Sequence, residues 1–342
     1  MRELRSALIA GLAAALVAAV ALPAVAQTRS KSQRPAQPAQ IKIGVGHGIG
    51  FLPLYIAQDL KLLEKHAKAA GITSRLSIQR YNTAAPLRQA LAKGDVSVGA
   101  YGLSGLLLTR DSPKDMVAVS GLTTLPLVLL TARPNFKSLS DLRANDRVVV
   151  PTFSAPQSTY LRLYADKTFF GAWKRLQPLV TAMPHQDAVD ALTAGTGNVA
   201  AYFSSPPFTQ VALKDPKVRA VMSSEDIMGG KTSFLVMAGS RETLAAQPKL
   251  AEILSRTIDE AAAVIRNDPR RAAVTWLKYE PSSTLDARAV EAILRDLKDD
   301  FGSAVHGVEA TAAVMSRDGR LKNAPASWKD VVAPALASGS GS

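Results

Sequence analysis

The feature that most constrains this chain is an alternation, run through twice, of short strand-like segments and longer helical ones. Ile41-Lys-Ile-Gly-Val45, Leu76-Ser-Ile78 and Val96-Ser-Val98 are short β-branched runs. Between them, apolar residues fall at helical spacing (Leu54, Ile56, Ala57, Leu60 and Leu63), with Pro53 where a helix can begin, and a second helical stretch spans 84–93. Strands that alternate with helices predict an α/β fold around a largely parallel sheet. A glycine-containing turn, Tyr101-Gly-Leu-Ser-Gly105, leads to a helix ending near Arg110, and two further strands are predicted over 116–122 and 126–132. The second of these is apolar nearly throughout, as a strand covered on both faces is.

The alternation restarts near residue 133. A short helix is predicted over 138–143, capped by Ser138 or Ser140 with Asp141 in its first turn. Strands follow at 147–150, 179–183 and 199–203, with helices over 156–170 and 186–194. After a strand over 234–238 the pattern is helical: 244–267, 270–278 and 286–299. This tail has no strands of its own, so it must pack on a sheet already built. The chain therefore crosses between two lobes twice, near 125–135 and near 232–240, which makes a hinged clamshell with a ligand cleft between the lobes. The expected boundaries are 41–125 with 238–336 for the first lobe, 126–237 for the second, and a flexible tail over 337–342.

Arg2 and Arg5 precede a charge-free apolar run from Ala7 to Leu22 that closes on Ala24-Val25-Ala26. This is the pattern of a cleaved secretory signal over 1–26, with Gln27 as the first mature residue and 27–40 as a flexible Pro/Gln-rich linker. The apolar run is shorter than the roughly 20 residues of a membrane span. The chain has no cysteine. That excludes a disulfide scaffold, a thiol nucleophile and thiolate metal ligands, and leaves no thiol for lipid attachment. The expectation is a freely diffusing periplasmic monomer. The formal charge is +13, but the 41 basic residues are scattered, and the basic run Arg29–Arg34 lies in the linker without interleaved aromatics. Nucleic acid is therefore not expected as a partner, whereas a small anionic ligand suits the charge.

Loops at the carboxyl ends of parallel strands face the cleft, where helix N-termini present N–H donors. The candidate ligand-binding residues are His47, Gly48, Gly50 and Phe51 after the first strand, Tyr101, Gly102 and Ser104 after the third, and Thr123 and Thr124. The second lobe adds Phe153, Ser154, Gln157 and Ser158, then Ser204, Ser205 and Phe208, and the turn residues Gly230 and Thr232. Gly44 to Gly50 reads G-x-G-x-G-x-G, which is not the dinucleotide fingerprint G-x-G-x-x-G. Four histidines without ligand spacing predict no metal. His185 is placed at a helix start, and Lys231 and Arg162 at the surface. No G-x-S-x-G or H-E-x-x-H run is present, so no catalytic residue and no cofactor are expected.

Four stretches carry a family resemblance. The segment from Ile43 to Leu60, with its strand, glycine loop and Pro53-Leu-Tyr-Ile-Ala57, resembles the opening of solute-binding proteins of ABC importers in the nitrate/sulfonate/taurine group, also called NMT1/THI5-like. In order there follow Ala90–Ala100, similar to that family's L-x-x-G-x-D strand; Lys137–Leu142 with Val148–Pro151, similar to its S-L-x-D-L and V-P pair; and Ala191–Gly195 with Ala200–Phe208. The resemblance covers about residues 41 to 280. It implies a type 2 periplasmic-binding fold that captures a small solute, such as a sulfonate, a taurine-like compound or another small organic anion, and passes it to a membrane permease with its ATPase. A pyrimidine-related or aromatic solute, or presentation to a sensor, is the alternative. The enzymes among the relatives depend on a cysteine-rich motif that this chain lacks. Two departures, Asn198-Val-Ala-Ala where relatives carry Asp and Tyr101-Gly-Leu-Ser104 where paired Pro is usual, are expected near the cleft, so the ligand is not inherited from relatives.

Overall fold

The strand-like segments pair into two separate five-stranded sheets. The computed structural model describes residues 39–82, 84–110, 115–168, 172–339 and 341–342. The expected signal sequence, and the linker up to residue 38, lie outside the described residues. The strands are β1 (Ala39–Val45), β2 (Ser74–Arg80), β3 (Val98–Gly102), β4 (Met116–Thr123), β5 (Val128–Thr131), β6 (Arg147–Val150), β7 (Val180–Ala182), β8 (Val199–Ser204), β9 (Arg219–Ser223) and β10 (Leu235–Ser240). The first sheet runs β2-β1-β3-β10-β4 and the second β7-β6-β8-β5-β9.

Each sheet has a parallel half, β2-β1-β3 or β7-β6-β8. Next to it lies one strand that has just arrived from the other sheet. β5 enters the second sheet antiparallel to β8 and β9, and β10 re-enters the first antiparallel to β3 and β4. The two crossovers are therefore residues 124–127 and 229–234. Every residue of β4, β8 and β10 is buried, as expected for strands covered on both faces.

The late helices supply much of that cover. Leu250–Asn267 turns Leu250, Ile253, Leu254, Ile258, Ala261 and Ile265 to one side, the i, i+3, i+4 stripe of a helix with one buried face. That stripe joins Leu52–Asp59, Pro269–Tyr279 and Ala287–Asp296 in the core on one face of the first sheet. Leu103–Arg110 and Val308–Arg317 cover the other face. Each fully buried Leu or Ile is worth about 1.5–3 kcal/mol, so packing on the sheet holds these helices in place.

Several elements differ from the sequence reading. The first long helix is two, Leu52–Asp59 and Leu62–Ala69, separated by Lys61 at φ 52°. The helix expected from 244 is also two, Arg241–Ala246 and Leu250–Asn267, because Pro248 cannot donate an internal hydrogen bond. β3 starts two residues later than expected, so Tyr101 and Gly102 are strand residues rather than a turn. The 138–143 helix is a single 3-10 turn, Leu139–Asp141, capped by Ser138: Asp141 accepts from the Ser138 N–H at 2.9 Å and Ser138 Oγ from the Ser140 N–H at 3.2 Å. β9 and the helices Ser224–Met228 and Val308–Arg317 were not anticipated. The final residues, expected as a flexible tail, are tied in: Ser342 N–H donates to Val305 O at 3.1 Å and Val308 N–H donates to Ser342 O at 2.8 Å.

Candidate ligand-binding site

A cavity of about 190 Å³ lies between the sheets, at the carboxyl ends of β1, β2, β3, β6 and β7. The first lobe contributes Gly46, His47, Phe51, Tyr81, Asn82, Leu87, Arg88, Tyr101 and Gly102, and the second Pro151, Thr152, Ser154, Pro156, Gln157 and His185, with Phe234 from a crossover. The lobes also meet directly. A methyl group on Gly102 would come within 2.6 Å of Pro156, and Thr159 Oγ1 donates to Ser104 Oγ at 3.1 Å. The cavity is small beside the roughly 300–1,000 Å³ of drug-sized sites.

The glycines of β1 and the loop after it seat rings. A methyl group on Gly44 would lie 3.1 Å from Tyr81 and 2.2 Å from Leu87, and one on Gly46 would lie 3.2 Å from Phe51. Tyr101 fits in the same way between Gly99 and Gly105, 3.0 and 3.2 Å from the missing methyl groups. The G-x-G-x-G-x-G run thus clears space for aromatic walls and does not cradle a phosphate. The phenol of Tyr101 is pushed up to about 12 by burial, against its hydrogen bond to Thr109 and the nearby charge of Arg88.

Three polar groups on the wall lack partners. Arg88 makes no ion pair or hydrogen bond among the described residues. Gln157 is 1% exposed and its Oε1 has no partner, nor has the buried hydroxyl of Tyr81. A buried polar atom without a partner costs about 1–3 kcal/mol, which the Gln157 and Tyr81 oxygens bear here, while the Arg88 guanidinium carries a positive charge on the wall. His47 Nε2 donates to Asn82 Oδ1 at 3.3 Å at the rim. His185 is held tightly: Nδ1 pairs with the Tyr202 hydroxyl, Nε2 with Ser205 Oγ at 3.2 Å, and Phe208 stacks on the ring at 4.8 Å. Burial lowers its pKa to about 4, so the imidazole is neutral at pH 7.

Of the residues singled out from sequence, His47, Phe51, Tyr101, Gly102, Ser154 and Gln157 line the cavity together. Others turn elsewhere, each for a visible reason. The Gly48 N–H donates to both oxygens of Glu280 at 2.9 Å, so it is not free for an anion. Gly50 packs against Leu235 and Phe234. Ser104 is taken by Thr159, and Thr123 is buried within β4. Thr124 Oγ1 donates to Asp300 at 3.1 Å. Phe153 is 63% exposed and does not line the cavity. Ser158 donates to Thr152 O at 2.8 Å, and Ser204 to Val128 O at 2.9 Å. Ser205 and Phe208 stand behind His185. Gly230 is exposed in the crossover, and Thr232 bonds Tyr160 at 2.8 Å.

Lys231 pairs with Asp300 at 2.5 Å, and Arg162 with Asp318 at 3.3 Å while lying over Trp173. Asn198, expected near the cleft, precedes β8 at the end opposite Ser204, at φ 56°. The sequence reading missed Tyr81, Asn82 and Arg88 after β2 and gave His185 after β7 no place in the site; the strand-end rule, applied to those two strands as well, finds Tyr81, Asn82 and His185 but not Arg88, which lies inside a helix. A larger hollow of about 440 Å³, lined by Leu139, Arg143, Arg175 and Leu176 among others, draws on the second lobe alone. Among the described residues no group of three metal-capable side chains occurs, and no helix is long and apolar enough to cross a membrane.

No protein-family model matches the sequence, and no curated protein matches it. Solved structures do match. The periplasmic aliphatic sulphonate binding protein SsuA from Escherichia coli superposes with a TM-score of 0.69 at 18% identity, over 88% of this chain and 99% of that one. The alkanesulfonate-binding protein SsuA from Xanthomonas axonopodis pv. citri, bound to MOPS, gives 0.66 at 18% identity, over 88% and 98%. The CA3427 gene product of Candida albicans, described as having the generic periplasmic binding protein fold, gives 0.63 at 12% identity, over 84% and 92%. Likeness at this level of identity speaks to architecture, and with the two crossed-over sheets it establishes that the chain has the two-lobed α/β fold of the periplasmic binding proteins.

Proposed function

We propose that this chain is an extracytoplasmic solute-binding protein of an ABC importer. It captures a small organic anion, such as a sulfonate, between its lobes and delivers it to a membrane permease with its ATPase. The observation that carries this reading is the interlobe cavity whose wall presents Arg88 with no ion-pair or hydrogen-bond partner among the described residues. In this reading the lobes are 41–125 with 238–336, and 126–237, and the mature protein is a soluble periplasmic monomer.

Enzymatic action finds little support in the site. Ser205, His185 and Tyr202 are linked in a row, but Ser205 is 4% exposed and stands off the cavity wall. A nucleophile must reach its substrate. The test is calorimetric titration of the mature protein with short sulfonates, carboxylates and nitrate. Arg88→Gln is expected to weaken binding about 10–150-fold, the equivalent of a charge-assisted hydrogen bond of about 1.5–3 kcal/mol. Turnover without binding, or unchanged affinity in Arg88→Gln, overturns the reading.

A further inference from the structure

We infer that the solute is a monoanion with an uncharged, ring-sized apolar body and no ammonium group. The inference rests on the receptor reading and narrows it. Among the described residues, the cavity wall carries Arg88 as its one lysine or arginine, and no aspartate or glutamate. Two carboxylates beside these segments are engaged or set back: Glu280 accepts from Gly48 and from the Tyr55 hydroxyl at 2.6 Å, and Asp95 is felt by Tyr81 without lining the cavity. An ammonium group buried here would meet no negative partner and would lose its water, which is strongly unfavourable. A taurine-like zwitterion is therefore disfavoured against the same sulfonate without its amine.

Much of the remaining wall is carbon, beside the polar side chains of Asn82, Thr152, Ser154 and Gln157. Phe51, Tyr81, Tyr101 and Phe234 supply rings from the first lobe and the crossover. Tyr101 spends its hydroxyl on Thr109 at 3.3 Å. His185 faces them from the second lobe with both nitrogens engaged and one face covered by Phe208. What these two polar side chains offer the cavity is ring carbon. A cavity of about 190 Å³ has room for one ring and its charged head. Aromatic pairs add roughly 0.5–1.5 kcal/mol beyond burial, so a flat body gains over a chain of equal size.

The decisive experiment titrates the full mature protein with ethanesulfonate, taurine, benzenesulfonate and nitrate under one set of conditions. Benzenesulfonate is expected to bind at least tenfold tighter than ethanesulfonate, and taurine at least tenfold weaker. Arg88→Gln should weaken both sulfonates by a similar factor and leave their order unchanged. Taurine as tight as ethanesulfonate, or benzenesulfonate no tighter than ethanesulfonate or nitrate, overturns this inference while leaving the receptor reading standing. Absence of binding by every member overturns the receptor reading, and this inference with it.

Discussion

His185 shows at single-residue scale how the cavity wall is made rigid. Its nitrogens are held by Tyr202 and Ser205, its ring by Phe208, and burial lowers its pKa from 6.5 to about 4. In the unfolded chain the same ring takes a proton near pH 6.5. Between these values the unfolded state binds more protons than the native state, so stability falls as pH falls from about 6.5 to about 4. The expected loss is about 1–3 kcal/mol, because the residue as a whole is only part-buried. Urea denaturation across this range checks it: His185→Gln should flatten the slope, and an equal slope in both proteins removes His185 as the cause. The same residue marks a limit of the sequence. A lone histidine after a three-residue strand reads as a helix start, and only the fold brings Tyr202, Ser205 and Phe208 around it. Gln157 and Tyr101 were legible because β-branched apolar runs mark the ends of β6 and β3, beside which they stand. Arg88 was not, since it lies one helical turn into Ala84–Lys93 behind the edge strand β2.

Among the elements, β4 shows how much a strand can depend on one missing side chain. Gly121 N–H donates to Ser303 O at 2.7 Å, and a methyl group on Gly121 would lie 2.1 Å from the backbone oxygen of Ala304. Backbone cannot swing aside as a side-chain tip can, so Gly121→Ala must push the 301–305 segment off the strand. Overpacking of this kind costs about 1–3 kcal/mol or more; the expected outcome is a lower urea midpoint with an unchanged m-value. A midpoint equal to that of the parent protein would show that the segment yields freely. The strands and helices with strong patterns, β1, β4, β8 and Leu250–Asn267, were legible because burial on one or both faces writes a continuous or periodic apolar run. β9 was not: four of its five residues are half-buried and the fifth exposed, so no period of two stands out. Val308–Arg317 was missed for a related reason, since Ala, Thr and Ser interrupt its buried stripe.

For the whole molecule, the question is where two lobes joined by two crossovers can bend. Asp300 ties both crossovers at once: its Oδ1 accepts from Thr124 Oγ1 at 3.1 Å and from Lys231 Nζ at 2.5 Å, and its carbonyl accepts from Thr124 N–H at 2.8 Å. The crossover ends nearest the first sheet are thereby fixed, while at the other end Leu127 N–H donates to Ser224 Oγ at 3.1 Å, so bending is expected between these two ties. Gly229 at φ 78° and Gly230 at φ 158° hold conformations that other residues resist, with open space around both. If the lobes close on a solute, removing the tie frees both crossover ends together, and the unliganded protein spends less time in the closed arrangement. Affinity falls by the same factor as the closed population. Lys231 is 49% exposed, so the lost interactions amount to about 1 kcal/mol after solvent screening. Asp300→Ala is therefore expected to bind solute about fivefold more weakly and to show a larger radius of gyration by small-angle scattering without solute. Saturating solute should restore the compact value. Identical scattering from the variant and the parent without solute would mean that Asp300 braces the first lobe only and that bending is governed elsewhere.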